Sequence, residues 1–384
     1  MSKKVGIITI VEVNNFGAEL QAFATQNALQ RLGYDAEIID YPFYKNPRHK
    51  ATQRSRPEFP IPINKRLAEW LYPKMARAKQ FLHGNRLDEK RNERYAKFHH
   101  DNTRFSPEYP TIESLYAAKM DYDAYVLGSD QVWNPFNYSS LDPYFLRFAP
   151  TNKRKLSYAS SFGVSTLPEY TRDYYHEALL GLDAISVREE NALQMVKDVS
   201  GKKAQWVLDP TLLLTGKEWM HFATAVDDVP EKYVLIYEVT PCSYLKEFAV
   251  TVANELGLKI VRINREAVRQ EEDEEVLNVM DAGPAEFIWL FGHASVILTN
   301  SFHGTAFSLI FNKAFYVVTP ARKRNNSRQE SLLRMVGLED RLIVEGAPMP
   351  NLKMISVDYS RVNSLLDAQR EKSISFLRNA IDGE

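Results

Sequence analysis

Residues 291 to 318 read FGHASVILTNSFHGTAFSLIFNKAFYVV, and the fold follows from how that stretch divides. Ser295 to Asn300 is apolar and β-branched enough for a strand buried on both faces. A polar turn, Ser301-Phe302-His303-Gly304, interrupts it. TAFSLIFN then carries apolar residues at helical spacing, and Ala314 to Val318 forms a second short apolar run. Strand, tight turn, helix and strand make a βαβ unit, with the turn at the carboxyl end of a strand and the amino end of a helix. Open α/β sheets bind ligands there, and free helical amides favour anions. His303 brings an imidazole, a side chain able to exchange protons near neutral pH, to that turn. A lone histidine is more often a simple helix cap. Ser301, Gly304 and Thr305 around it weigh toward function.

The same rhythm extends in both directions. Val5 to Val11 predicts a buried strand, followed by the loop EVNNFGAE and an amphipathic helix ended by Gly33, then the strand Ala36 to Asp40. Gly17 stands alone in that first loop, so the G-x-G-x-x-G spacing of dinucleotide binding is missing. Asn14 and Asn15 divide evenly between turn-and-cap chemistry and substrate contact. Tyr41 to Ile63 reads as an irregular excursion rich in Pro, Arg, Lys and aromatics, and Lys65 to His100 as one or two charged surface helices.

Tyr122 to Leu127 predicts a strand running into GSDQVWNP, where Asp130, Trp133 and Asn134 crowd together in the manner of a site loop. Trp133 offers the kind of flat ring on which sugars stack, and a capping aspartate is the plainer reading of Asp130. Further strands are expected at Arg154 to Gly163, at Ala184 to Glu189 and in WVLDPTLLL from Trp206 to Leu214. Arg188 at a strand's carboxyl end suits bidentate capture of carboxylate or phosphate. A salt bridge to a neighbouring acid is as good an account of it. Polar Gly216 to Lys232 marks the domain crossing. After it come the strands Tyr233 to Val239 and Lys259 to Ile263, a helix from Pro284 to Gly292, and the opening stretch. The bases Arg322, Lys323, Arg324 and Arg328 follow as a candidate anion clamp, and a closing helix spans Asp358 to Ile381.

A chain of 384 residues exceeds one ordinary core. The expected division is 1–215, with an insertion at 43–110, and 216–384. A formal net charge of -1 gives no global field to recruit nucleic acid. One cysteine, Cys242, excludes an internal disulfide and a multi-cysteine metal site. The apolar run at Val5 is too short for a signal peptide, and no stretch approaches the roughly 20 apolar residues of a membrane helix. The sequence therefore predicts a cytoplasmic protein with at most peripheral contact at the inner face of a membrane.

With those residues in view, the chain resembles the polysaccharide pyruvyl transferase family. The resemblance rests on NNFGAELQAFATQNALQRLGYDAEIIDY, YDAYVLGSDQVWNP, KLSYASSFG, ISVREENA, WVLDPTLLL, VILTNSFHGTAFSLIFNKAF and SRQESLLRMVGLEDR, in order from about residue 5 to 342, with a weak match over 43–110. It implies two Rossmann-like domains facing a cleft, as in GT-B enzymes, in a bacterial pathway to capsule or exopolysaccharide. Phosphoenolpyruvate would be the co-substrate donor, with no cofactor and no metal. The acceptor would be a sugar, such as a lipid-linked oligosaccharide, and the product a cyclic pyruvate ketal. By the same resemblance His303 and Asp130 are catalytic. The resemblance also makes Arg188 a donor ligand, and position in the chain adds Ser301, Gly304, Thr305 and Arg328 to the donor side and Asn14, Asn15, Trp133 and Asn134 to the acceptor side. Two other classes compete. A nucleotide-sugar glycosyltransferase would want a glycine-rich diphosphate loop and a ribose-binding acid. A non-catalytic glycan-binding homologue would be expected to have lost Asp130, Arg188 or His303.

Overall fold

The computed structural model describes residues 2–43, 46, 48, 86–137, 140–263, 275–321, 326–352 and 355–383. Helices expected at 65–85, most of the 41–63 excursion, the acidic residues 271–274, and Arg322, Lys323 and Arg324 lie outside them. Two α/β units are present, each around its own parallel sheet.

The first sheet has seven strands: β1 (Lys4–Ile8), β2 (Asp35–Asp40), β3 (Phe105–Glu108), β4 (Ala124–Leu127), β5 (Arg154–Ser160), β6 (Ala184–Val187) and β7 (Gln205–Trp206). Their order is β3-β2-β1-β4-β5-β6-β7, and every pairing is parallel. The chain winds outward from β1 in one direction and from β4 in the other. The point of reversal therefore lies between those two strands, where the loops after them stand side by side. β4 (AYVL) is buried throughout, as a central strand covered on both faces must be. β3 (FSPE) contains Pro107 and sits at the edge, where a missing N–H costs no ladder bond.

The second sheet comprises β8 (Tyr233–Tyr237), β9 (Lys259–Ile263), β10 (Val276–Val279), β11 (Val296–Thr299), β12 (Ala314–Thr319) and β13 (Leu342–Val344). Their order is β10-β9-β8-β11-β12-β13, again all parallel, with the reversal between β8 and β11. The helix Phe302–Ile310 leaves β11, and all of its residues are buried. Its apolar side chains face neighbours all round, unlike a surface helix. Phe307 meets the rings of Trp219 and Phe287, each at 5.2 Å between centroids.

The units do not follow one simple cut in the chain. The first holds His99–Leu213 with the residues of β1 and β2 and takes back the chain from Gln369. The second holds Asn85–Phe98 and Leu214–Ala368. The end of the closing helix, Tyr359–Asp382, is tied to the first unit through Arg154, which donates to Ala380 O at 3.0 Å, and Arg370, which donates to Leu212 O at 2.7 Å. WVLDPTLLL is not one strand. β7 stops at Trp206 and Pro210–Leu213 forms a 3-10 turn, because Asp209 Oδ1 accepts from Thr211 N at 3.0 Å.

Trp133 corrects a second expectation. Its ring is fully buried, stacked on Phe145 with 5.2 Å between centroids and 4° between planes, and Nε1 donates to Tyr144 O at 2.9 Å. No face remains for a sugar, so the predicted acceptor contact gives way to a core role. Trp133→Ala should therefore cost ~3–5 kcal/mol of stability through the cavity it opens. Chemical denaturation checks this, and a melt unchanged from wild type would return Trp133 to the surface.

Among the described residues no helix is long and apolar enough to cross a membrane.

Candidate functional site

In the second unit the turn after β11 is held by a set of side-chain hydrogen bonds. Thr299 Oγ1 donates to Tyr237 O at 2.5 Å and accepts from Ser301 N at 3.0 Å. Asn300 lashes the loop after β8 to the end of β11: its Oδ1 accepts from Val239 N at 2.7 Å and its Nδ2 donates to Thr240 O at 2.6 Å. Ser301 is the helix N-cap, and its Oγ accepts from Gly304 N at 3.3 Å. Thr305 sends its hydroxyl proton back to Ser301 O at 3.0 Å, which satisfies a buried hydroxyl inside the helix. Gly304 is required by space, since a Cβ there would come within 2.2 Å of Thr299 Oγ1. Gln329 crosses from the helix Ser327–Val336 and donates to Asn300 O at 3.3 Å, while Arg328 beside it is half-buried.

His303 occupies the second position of its helix, largely buried, with its ring edge-on to Phe302 at 5.2 Å. It stands at the sheet's point of reversal, where the helix's first amides also gather. Ser301 and Thr305 mainly shape the turn with their hydroxyls, and Gly304 permits its close approach to Thr299.

Sequence reasoning passed over Glu238, the residue directly after β8. Burial pushes its carboxyl above the usual range, and Arg262, 3.4 Å away, only partly offsets that. A charged residue closing the apolar run YVLIY was the available signal, since a perturbed acid at a strand's carboxyl end marks candidate sites. Because its folded value is raised, the ionised form costs stability at neutral pH and the protonated form at low pH does not. Glu238→Gln should therefore raise the melting temperature at pH 7, with the gain vanishing below about pH 4. Thermal melts across pH test this, and a gain that grew on acidification would contradict it.

In the first unit the loops after β1, β4, β5 and β6 carry the other candidates. Three non-glycine residues there adopt left-handed backbone, Glu12 (φ 53°), Asn14 (φ 49°) and Asp130 (φ 70°), as does Ala159 (φ 51°) inside β5, where the register with β6 shifts. Such conformations cost energy and persist where surroundings over-determine them, often at functional sites. Asn15 caps the helix Phe16–Arg31, with Oδ1 accepting from Gly17 N at 3.0 Å. That is the capping role open to it in the sequence. Asn134 is likewise engaged in its own turn, accepting from Phe136 N at 2.9 Å and donating to Gln131 Oε1 at 3.0 Å.

Asp130 and Arg188 come together, as part of a buried network. The guanidinium of Arg188 has no exposed surface, with one nitrogen 3.1 Å from Asp130 Oδ1 and another 2.8 Å from Asp209 Oδ2. Glu189 Oε2 lies 3.9 Å from its Nε. Ser129 Oγ is 2.9 Å from both Asp209 Oδ2 and Ala159 O, and Ser161 donates to Glu189. Burial alone would lower the arginine's pKa, but Asp130, Asp209 and Glu189 together raise it above the ordinary value. The expectation of an open anion fork at Arg188 is thereby corrected to the ion-pair alternative. The fork is occupied by aspartates that the sequence did not associate with it, and Arg188 holds Asp130 in its left-handed turn. Asp209 was missed because it reads as a turn former beside Pro210.

A family model described as polysaccharide pyruvyl transferase matches residues 15–322. No curated protein matches. Among solved structures, UDP-N-acetylglucosamine 2-epimerase from Rickettsia bellii is similar, with a TM-score of 0.51 and 10% identity over 100% of this chain and 98% of that one. The UDP-GlcNAc 2-epimerase of Methanocaldococcus jannaschii, solved with UDP-GlcNAc and UDP, gives 0.50 and 13% identity over 96% and 93%. MurG of Acinetobacter baumannii gives 0.43 and 9% identity over 100% of both chains. In fold, the two parallel-sheet units are of the GT-B kind, like the two epimerases.

Proposed function

The chain belongs to the polysaccharide pyruvyl transferase family, and from that membership we propose that it moves pyruvate from phosphoenolpyruvate onto two hydroxyls of a sugar in a cell-surface polysaccharide precursor. The observation that carries the proposal is the family match over residues 15–322, which takes in both candidate loops. In the reaction, carbon 3 of the enol gains a proton and carbon 2 becomes oxocarbenium-like. One sugar hydroxyl adds to carbon 2, and the second displaces phosphate there to close a cyclic ketal. Of the two hydroxyl protons, one balances the proton delivered to carbon 3 and the other leaves with phosphate.

His303 is assigned the proton transfers, which an imidazole can perform in both directions near neutral pH. Asp130 is assigned the acceptance of a hydroxyl proton or the stabilisation of the cationic centre. The helix amides after Ser301, together with Arg328, supply donor contacts to carboxylate or phosphate. Asn14 and Asn15 are assigned to the acceptor side. Neither a metal nor an organic cofactor is part of the scheme. The setting is the cytoplasm of a bacterium, at the inner face of the membrane when the acceptor is lipid-linked.

Incubation with phosphoenolpyruvate and a panel of lipid-linked oligosaccharides, read by mass for the ketal and by phosphate release, tests the proposal. A thermal-shift response to uridine or guanosine diphosphate-sugars and none to phosphoenolpyruvate would instead support the glycosyltransferase reading. The epimerase solved with UDP-GlcNAc, a protein of the same fold, makes that comparison necessary.

A further inference from the structure

The first unit contains a buried acid–imidazole pair outside the assigned chemistry. Glu19, in the helix Phe16–Arg31, has no exposed side-chain surface, and His99, in the helix Arg86–Asn102, is nearly as buried. Glu19 Oε2 lies 2.5 Å from His99 Nε2. The other carboxylate oxygen, Oε1, accepts from Val13 N at 3.1 Å. Val13 stands between Glu12 and Asn14, two of the left-handed residues in the loop after β1. One carboxylate therefore joins an imidazole to the backbone of the loop beside the sheet's point of reversal.

From this geometry we infer that Glu19 and His99 are positioning residues, and that the protonation of His99 sets how firmly the loop Glu12–Asn15 is held. When His99 carries its proton, Glu19 is paired on one side and bonds Val13 on the other. When His99 is neutral, the buried carboxylate loses its countercharge and must admit water, which competes with Val13 N for its oxygens. Among the described residues, the groups facing His99 are few. Glu19 faces it from the first helix, Glu12 from the loop after β1, and Arg48 from the segment that pairs with Glu12, Asp40 and Glu108. Thr103 Oγ1 is 3.5 Å from Nδ1, and the Phe105 ring packs at 5.6 Å between centroids. Burial opposes the charged imidazole and Arg48 does so weakly, but Glu19 and Glu12 outweigh them and hold its pKa above the ordinary histidine value.

The sign of the consequence is fixed. A histidine whose folded pKa is raised adds stability that is complete below its unfolded value and is lost as pH rises through the folded one. The loop should accordingly be held tightest at mildly acid pH and loosen above it. That this loop serves the acceptor rests on the transferase reading, whereas the coupling itself does not.

Nuclear magnetic resonance of the whole wild-type chain tests the coupling directly. The expected result is that the His99 ring protons titrate with a midpoint above the ordinary histidine value, and that the Val13 amide shift follows the same midpoint. In Glu19→Gln the His99 midpoint should fall, and the Val13 step should fall with it. A Val13 amide that does not move while His99 titrates would overturn the inference, as would a His99 midpoint unchanged in Glu19→Gln. His99→Gln, which keeps a hydrogen bond at the ε position, should abolish the Val13 step while preserving the fold. If it does not fold, the wild-type titration decides alone. Acceptor KM against pH should flatten in His99→Gln if the loop serves the acceptor. A flat Val13 profile refutes the coupling, whereas absent transferase activity with a coupled Val13 refutes only the assigned reaction.

Discussion

Replacing His303 with alanine is expected to lower turnover by ~10²–10⁴-fold, the contribution of one general acid–base group, while the protein stays folded. The fold should survive because other side chains fix the backbone of the turn. Thr299, Asn300, Ser301 and Gln329 fix its backbone through six of the hydrogen bonds described above, from Thr299 to Tyr237 O through to Gln329 on Asn300 O. The ring itself is buried at the start of a helix that is packed on all sides, so alanine leaves a small void there. His303→Gln keeps most of the volume and removes the proton exchange, and should lose activity equally. Steady-state kinetics with circular dichroism of both variants makes the measurement. Full turnover in either folded variant would remove His303 from the chemistry.

The placement of that histidine was legible in the sequence because it depends on local patterning. An apolar, β-branched run, a polar turn containing Ser301 and Gly304, and a helical spacing in TAFSLIFN specify strand, turn and helix without reference to anything distant. The same holds for the strands around Val126, Ile185 and Leu235, whose burial is written into their composition. What could not be read was partnership at long range. Arg188 and Asp209 are 21 residues apart and Arg188 and Asp130 are 58 apart, and nothing in either segment says that the guanidinium turns inward. Trp133 was misjudged for the same reason. A tryptophan in a polar loop looks exposed until Phe145, Phe162 and Tyr144 are folded around it. The edge strands β3, β10 and β13 are only three or four residues long, and β3 and β10 also carry a proline or a polar residue, so their pattern does not rise above that of loops.

Removing the guanidinium of Arg188 is expected to destabilise the protein by ~3–5 kcal/mol, the range seen when one partner of a buried ionic network is deleted. The reason is what remains behind. Asp209 has no exposed surface, Glu189 almost none and Asp130 little, so Arg188→Ala would strand three carboxylates in the interior without their cation. Ser129, Thr211 and Ser161 would still donate to Asp209 and Glu189, but neutral donors do not cancel charge. Arg188→Lys keeps the charge and loses the planar fork that reaches Asp130 and Asp209 on separate nitrogens, so its loss should be intermediate. Had Arg188 been an open anion site, the lysine variant would have acted on the donor constant with little effect on stability, and the two accounts therefore predict different observables. Urea denaturation of Arg188→Ala, Arg188→Lys, Asp209→Asn and the Arg188→Ala/Asp209→Asn pair measures the coupling. The double variant should be less destabilised than the sum of the singles, because deleting both partners relieves the stranded charge. Strict additivity, or an Arg188→Ala variant as stable as wild type, would mean that Asp130 keeps its left-handed turn without the network.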